Sequence, residues 1–373
     1  MYLEDLTLKD FRNFDRVKVN FDSHINIFIG KNAQGKTNLL EAIYFLALTK
    51  SHRTSVDKEL IKFNMKIAGI HGTLCKRNIR FDLKLLVSNK GKKAWINRLE
   101  QKKLSNYLGT MNAILFSPED LSLVKGSPAF RRRFMDLEFG QINGEYLYFL
   151  TRYRQVLQQR NTYLKQISSK KASDPIFLNV LTDQLAGLAA EVVHKRVLYL
   201  DLLKENAKKA YAFISDQREI LDIEYKASFP EFDEKDSVEK IYKKILLSFE
   251  HVRVNEMRLG TTLVGPHRDD LQVFINKKSA QEYASQGQQR SIVLSIKLAE
   301  IDLMHQILNE YPILLLDDVM SELDNIRQKN LLNYINGKTQ TFITTTDINS
   351  ISQEMIKIPR IFRIVSGTVS EEK

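Results

Sequence analysis

The stretch HINIFIGKNAQGKT, residues 24–37, decides the fold. Its first half is a short, continuous apolar run ending at Gly30, the signature of a strand buried on both faces. Its second half, residues 30–37, matches G-x-x-x-x-G-K-[ST]. The next segment, KTNLLEAIYFLALTK (residues 36–50), has helical spacing in Leu39, Leu40, Ile43 and Leu46. A glycine-rich turn between a buried strand and a helix is a phosphate cradle. Gly30 and Gly35 let backbone N–H groups of Lys31, Asn32, Ala33 and Gln34 turn inward, and the helix N-terminus adds partial positive charge. Lys36 reaches the β- and γ-phosphates of ATP, and Thr37 offers its hydroxyl to Mg2+.

A second segment completes such a site. In PILLLDDV, residues 312–319, the apolar run delivers Asp317 to the C-terminal end of a buried strand, where open α/β sheets bind ligands. Asp317 is expected to hold Mg2+ through its water shell, and Asp318 to face the attacking water. The two halves of the site lie nearly a chain length apart.

The organisation between them follows from periodicity. LEDLTLKDFRNF (3–14), DRVKVNFD (15–22), IAGIHGTL (67–74), NIRFDLKLLVS (78–88) and AWINRLE (94–100) read as strands. Three helical regions follow at 145–167, 178–215 and 237–260. Alternation resumes in LQVFIN (271–276), and TQTFITTTD (339–347) and IFRIVSGTVS (361–370) are further strands. The expected fold class is α/β: a P-loop domain in two parts, 1–125 and 261–373, with a mainly helical lobe inserted at 126–260.

Composition narrows the setting. The 373 residues are 43% apolar, enough for a substantial core, and carry a net charge of +11, which attracts polyanions. Cys75 is the only cysteine, which excludes an intrachain disulfide and points to a reduced, cytoplasmic setting. No apolar run is read as approaching the roughly 20 residues of a membrane span.

One stretch has no local use. YASQGQQRS, residues 283–291, opens a helix with a small, polar run holding Ser285, Gly287, Gln288 and Gln289. With the phosphate loop and the Asp317 strand, it resembles the ATP-binding-cassette ATPases of the SMC/Rad50/RecF group. In that group Ser-x-Gly-x-Gln faces the γ-phosphate held by a second subunit, so the resemblance implies that Ser285, Gly287 and Gln288 act in trans in an ATP-dependent homodimer. It also implies that SELD (321–324) crosses the same interface, and that Arg12 and Asn13 meet the nucleotide base. The segments LTLKDFRNF (6–14), FSPEDLSLVKGSPAFRRRFMD (116–136), LVGPHRDDL (263–271) and LLLDDVMSELD (314–324) look like the RecF family in particular, along essentially the whole chain. The short lobe fits that family rather than the long coiled coils of SMC proteins. The resemblance implies DNA binding, single- and double-stranded, at gaps and junctions. It further implies recombinase loading with RecR- and RecO-like mediators, roles in repair, recombination and replication, and SOS induction.

Two departures matter. Asp318 stands where cassette ATPases usually carry Glu, so slow, DNA-stimulated hydrolysis suited to a switch is expected. Thr346 and Asp347 stand where the group's switch histidine lies. Lys125, Arg131, Arg132, Arg133 and Arg53 are candidate DNA contacts, Arg53 alternatively a contact to the trans nucleotide. His267, Asp269 and Asp270 read better as a structural turn, with Arg268 paired to a carboxylate, than as a metal site. The alternative function is a P-loop ATPase acting on a small-molecule or transport substrate.

Overall fold

A computed structural model describes residues 1–171, 174–215, 219–347 and 359–372. The chain divides into two compact units. The first comprises 1–120, 210–217 and 293–373, and the second 121–209 and 218–292. The first boundary lies close to the expected 125. The second does not lie at 260: residues 261–292, including the Ser285–Gln288 stretch, pack with the inserted lobe.

The first unit holds two six-stranded sheets. One is antiparallel, in the order Phe14–Asn20, Tyr2–Phe11, Ile67–Lys76, Ile79–Ser88, Gly91–Ile96, Leu99–Glu100. Its inward residues Leu8, Val17, Ile70, Leu85 and Ala94 lie opposite one another and are all buried. Polar residues alternate with them on the other face, the pattern of a half-solvated antiparallel sheet.

The other sheet runs Thr368–Glu372, Arg360–Val365, Ile25–Ile29, Thr341–Thr345, Ile313–Asp317, Ala113–Phe116. Only its Thr368–Glu372 edge is antiparallel. The strands Ile313–Asp317 and Thr341–Thr345 are buried at every position, which is why the sequence there is continuous rather than alternating. Helix Lys36–Leu48 is buried at 11 of its 13 residues, so it is apolar nearly all round.

The second unit is built on helices Pro128–Ile142, Gly144–Ser168, Pro175–Ile214 (up to its residue 209) and Val238–Leu259. It also contains a three-stranded sheet, Lys278–Ser279, Asp270–Ile275 and Leu221–Lys226. The last of these lies between the helical regions 178–215 and 237–260: LDIEYK alternates, with Leu221, Ile223 and Tyr225 buried. Helix Pro175–Ile214 is long and apolar enough, by length and composition, to cross a membrane, contrary to the reading that no segment approaches a span. Its Leu178, Leu185, Ala189, Ala190 and Val193 are buried, so within its unit it is a core helix.

Candidate functional site

The phosphate loop hangs from strand Ile25–Ile29. Gly30 is required by close approach: a Cβ there would stand 2.4 Å from the Ile364 carbonyl oxygen of the neighbouring strand. Gly35 has φ +118°, a conformation L side chains rarely adopt, and a Cβ would press within 2.6 Å of the Asn13 amide. The loop is pinned from outside. Asn13 Nδ2 donates to the Gln34 carbonyl at 3.0 Å, Asn38 Nδ2 donates to Asn13 Oδ1 at 2.8 Å, and Ser366 N donates to Gln34 Oε1 at 2.8 Å.

Lys36 folds back over its own loop. Its Nζ donates to the Gly30 carbonyl at 2.5 Å and the Lys31 carbonyl at 3.0 Å. Burial lowers its proton affinity, while the Asp318 and Asp317 carboxylates pull the other way. The ammonium rests beside the place a phosphate would take it.

Sheet order explains the other wall. Strand Thr341–Thr345 lies between the phosphate-loop strand and Ile313–Asp317. It therefore inserts Thr344 between the two halves of the site. Thr37 Oγ1 donates to Asp317 Oδ1 at 3.0 Å, Thr344 Oγ1 donates to the same oxygen at 2.8 Å, and Asp318 N donates to Thr344 Oγ1 at 2.8 Å. Nothing in the sequence marks Thr344, which lies two residues before Thr346, because its role comes only from strand order. Asp318 adopts φ 55°, an unusual left-handed conformation that turns it out of the strand into the cleft. Asn32, Ala33, Gly35, Lys36, Thr37, Asn38, Arg53, Asp318 and Thr344 line a cleft of about 360 Å³. Its convergent groups are hard oxygens, a lysine and backbone N–H donors, which is chemistry for a polyphosphate.

Behind the cleft lies a buried brace. Glu41 receives Arg12 bidentately at 2.7 and 2.8 Å and Ser51 Oγ at 2.5 Å. Burial pushes its carboxyl up, but the hydrogen bonds from Arg12 and Ser51 prevail and hold it below the usual range. Arg12 also donates to the Glu59 carbonyl at 2.8 Å. Arg12 and Asn13 thus hold protein partners that stiffen the phosphate loop and its helix at the edge of the cleft. Arg53 donates to Asn38 Oδ1 at 2.8 Å and faces this chain's own cleft. His52 packs edge-on against Tyr44, and burial lowers its proton affinity.

In the second unit, Ser285 and Gln288 form a reciprocal capping box. Ser285 N donates to Gln288 Oε1 at 2.7 Å, and Gln288 N donates to Ser285 Oγ at 3.2 Å. Gln288 Nε2 also donates to Glu219 at 2.6 Å, a partner the sequence did not suggest. Ser285 is exposed at the start of helix Gln286–Leu308.

The candidate DNA contacts separate sharply. Arg131 is buried and forks onto Asp270 at 2.8 and 2.9 Å, so it grips no phosphate. Arg132 donates to the Asp269 carbonyl. Lys125 and Arg133 are exposed.

The turn at 265–270 is structural, as read, but not through the expected pair. Arg268 donates to the Thr262 carbonyl rather than to a carboxylate, and Asp269 is held by Tyr225 and by Ser228 N at 2.7 Å. His267 Nε2 lies 3.2 Å from the Thr262 carbonyl and Nδ1 lies 2.5 Å from the Tyr153 hydroxyl, so Nε2 carries the proton and Nδ1 accepts. Burial pushes His267 down to about 4. An unfolded histidine titrates near 6.5, so the unfolded chain binds the extra proton between pH 6.5 and 4, and stability falls as pH drops through that window. The expected loss from pH 7 to 4 is about 2–3 kcal/mol. Denaturant titration of the wild type against His267→Gln checks it: the variant should show the shallower pH dependence.

The geometry defines the class of the first unit: an ABC-type P-loop ATPase head. The family profile described as the RecF/RecN/SMC N terminal domain matches residues 2–370. The chain is 63% identical over 373 residues, all of both chains, to the DNA replication and repair protein RecF of Lactobacillus johnsonii. It is 50% identical over 370 residues, 99% of this chain and 100% of the relative, to that of Oceanobacillus iheyensis. A solved structure of the recombination mediator protein RecF with ATP superposes at TM-score 0.92 and 32% identity, covering 100% of this chain and 98% of that one. An SMC head from Pyrococcus furiosus shares the fold alone, at TM-score 0.56 and 16% identity over 100% of this chain and 96% of that one. The chain belongs to the RecF family.

Proposed function

We propose that this chain is an ATP-switched DNA-binding protein of recombinational repair and replication. ATP and Mg2+ join two copies into a clamp at single-strand gaps and junctions, where RecR- and RecO-like mediators help it promote recombinase loading and SOS induction in the cytoplasm. The observation that carries this reading is the Lys36–Asp317–Thr344 cleft, in a chain matching RecF proteins from end to end.

The site suits Mg2+. The Thr37 hydroxyl and Asp317 carboxylate converge at 3.0 Å. Among the described residues, no three His, Cys, Asp or Glu side chains gather into an all-protein cage. Mg2+ is bound in that way, by one or two protein oxygens with water and phosphates supplying the rest. When bound, it would neutralise phosphate charge. Lys36 would exchange its two loop carbonyls for phosphate oxygens, Thr344 keeps Asp317 and Asp318 in register, and Asp318 orients water. The shorter Asp318 carboxylate makes hydrolysis slow, so ATP acts as a timer rather than a motor fuel. Ser285 and the Gly287 amide would meet the γ-phosphate of the other copy.

Fluorescence anisotropy with gapped DNA tests the reading. Binding should be tight with Mg-ATP and at least tenfold weaker with Mg-ADP. Equal affinity in both states would refute the switch.

A further inference from the structure

The solvent face of the antiparallel sheet carries two cross-strand rows. Strand register places Lys18, Thr7, His71, Lys84 and Trp95 side by side, and Arg16, Lys9, Gly69, Leu86 and Lys93 beside them. Lys9, Arg16, Lys18, Lys84 and Lys93 are all exposed. Lys93 pairs with Glu100 at 2.9 Å and His71 with Asp82 at 3.1 Å. Among the described residues, Lys9, Arg16, Lys18 and Lys84 make no ion pair. Lys9 stands directly opposite Arg16. Like charges in that position destabilise a sheet, so folding gives no reason for them.

We propose that this face is a docking surface for the phosphate backbone of duplex DNA. This rests on the DNA-binding reading above and gives it a location in the first unit. Five strands about 4.8 Å apart carry the rows across about 19 Å, comparable to the reach of a duplex laid across them. Four unpaired cations complement its phosphates, and the Thr7 hydroxyl adds a donor of the kind that contacts backbone oxygens. Single strands are held by aromatic platforms on which bases stack. Within these two rows Trp95 is the one Phe, Tyr or Trp, and the Lys84 ammonium lies 5.4 Å from its ring centre. The surface therefore reads backbone and not bases.

The test is the salt dependence of binding to a short fluorescent duplex with Mg-ATP. It compares the wild type with the quadruple variant Lys9→Gln, Arg16→Gln, Lys18→Gln, Lys84→Gln and the double variant Lys18→Gln, Lys84→Gln. Each lost phosphate contact lowers the slope of log K against log salt by about 0.9, so the quadruple variant should lose about 3–4 and the double variant about half of that. ATP-dependent self-association should be unchanged in both. Wild-type slopes in both variants would overturn the surface and leave the DNA-binding reading standing. A loss confined to single-stranded DNA would overturn the duplex assignment. A wild-type protein that binds no duplex in any salt would overturn the surface and the reading together.

Discussion

Lys36→Ala should lose ATP binding, ATP-dependent self-association and stable DNA binding together. The side chain is held 2.5 Å from the Gly30 carbonyl and 3.0 Å from the Lys31 carbonyl, so its head group already sits over the loop that would cradle the phosphates. Removing it deletes the cation that offsets the phosphates against Asp317 and Asp318. Hydrogen bonds to charged groups contribute about 1.5–3 kcal/mol each, so losing phosphate contacts costs about 3 kcal/mol, or roughly 100-fold in nucleotide affinity. Calorimetric titration with ATP gives the first number and sedimentation the second. An alanine variant that still associates and binds DNA with ATP present would separate those properties from the cleft.

Glu256→Ala should produce the largest loss of stability in the second unit. Glu256 is fully buried and accepts Arg160 at 2.6 Å and the Leu263 amide at 2.7 Å. Arg160 is equally buried, donates to Thr182 and Thr262, and lies over the Phe249 ring. The substitution strands the guanidinium charge away from water. Removing one partner of a buried pair costs about 3–5 kcal/mol, whatever the intact pair contributes. Circular dichroism at helical wavelengths should show an earlier transition. The single tryptophan, Trp95, lies in the first unit, so its fluorescence follows that unit separately. An unchanged helical transition would show that Arg160 is relieved by solvent.

The parts of this site that a sequence displays are those whose partners are near in the chain or carry a strict spacing. Gly30, Gly35, Lys36 and Thr37 are one motif on one turn, and the apolar run before Asp317 announces a buried strand. Thr344 carries no such mark: it matters because strand Thr341–Thr345 lies between two others. Arg131 reads in the sequence as a candidate DNA contact in a run of three arginines, yet its partner Asp270 is 139 residues away. Arg12 and Glu41 are likewise joined only by folding. Helical periodicity stops at 260, whereas packing carries the unit on through strand Asp270–Ile275 and the Ser285–Gln288 cap. Where periodicity changes and where a unit ends are different physical events.

Sedimentation velocity with Mg-ATP shows whether ATP joins two copies through Ser285. The wild type should form a dimer, Asp318→Asn should make that dimer persist by stopping hydrolysis, and Ser285→Arg should abolish it while leaving ATP binding intact. A wild-type protein that binds ATP and remains a monomer would contradict the clamp.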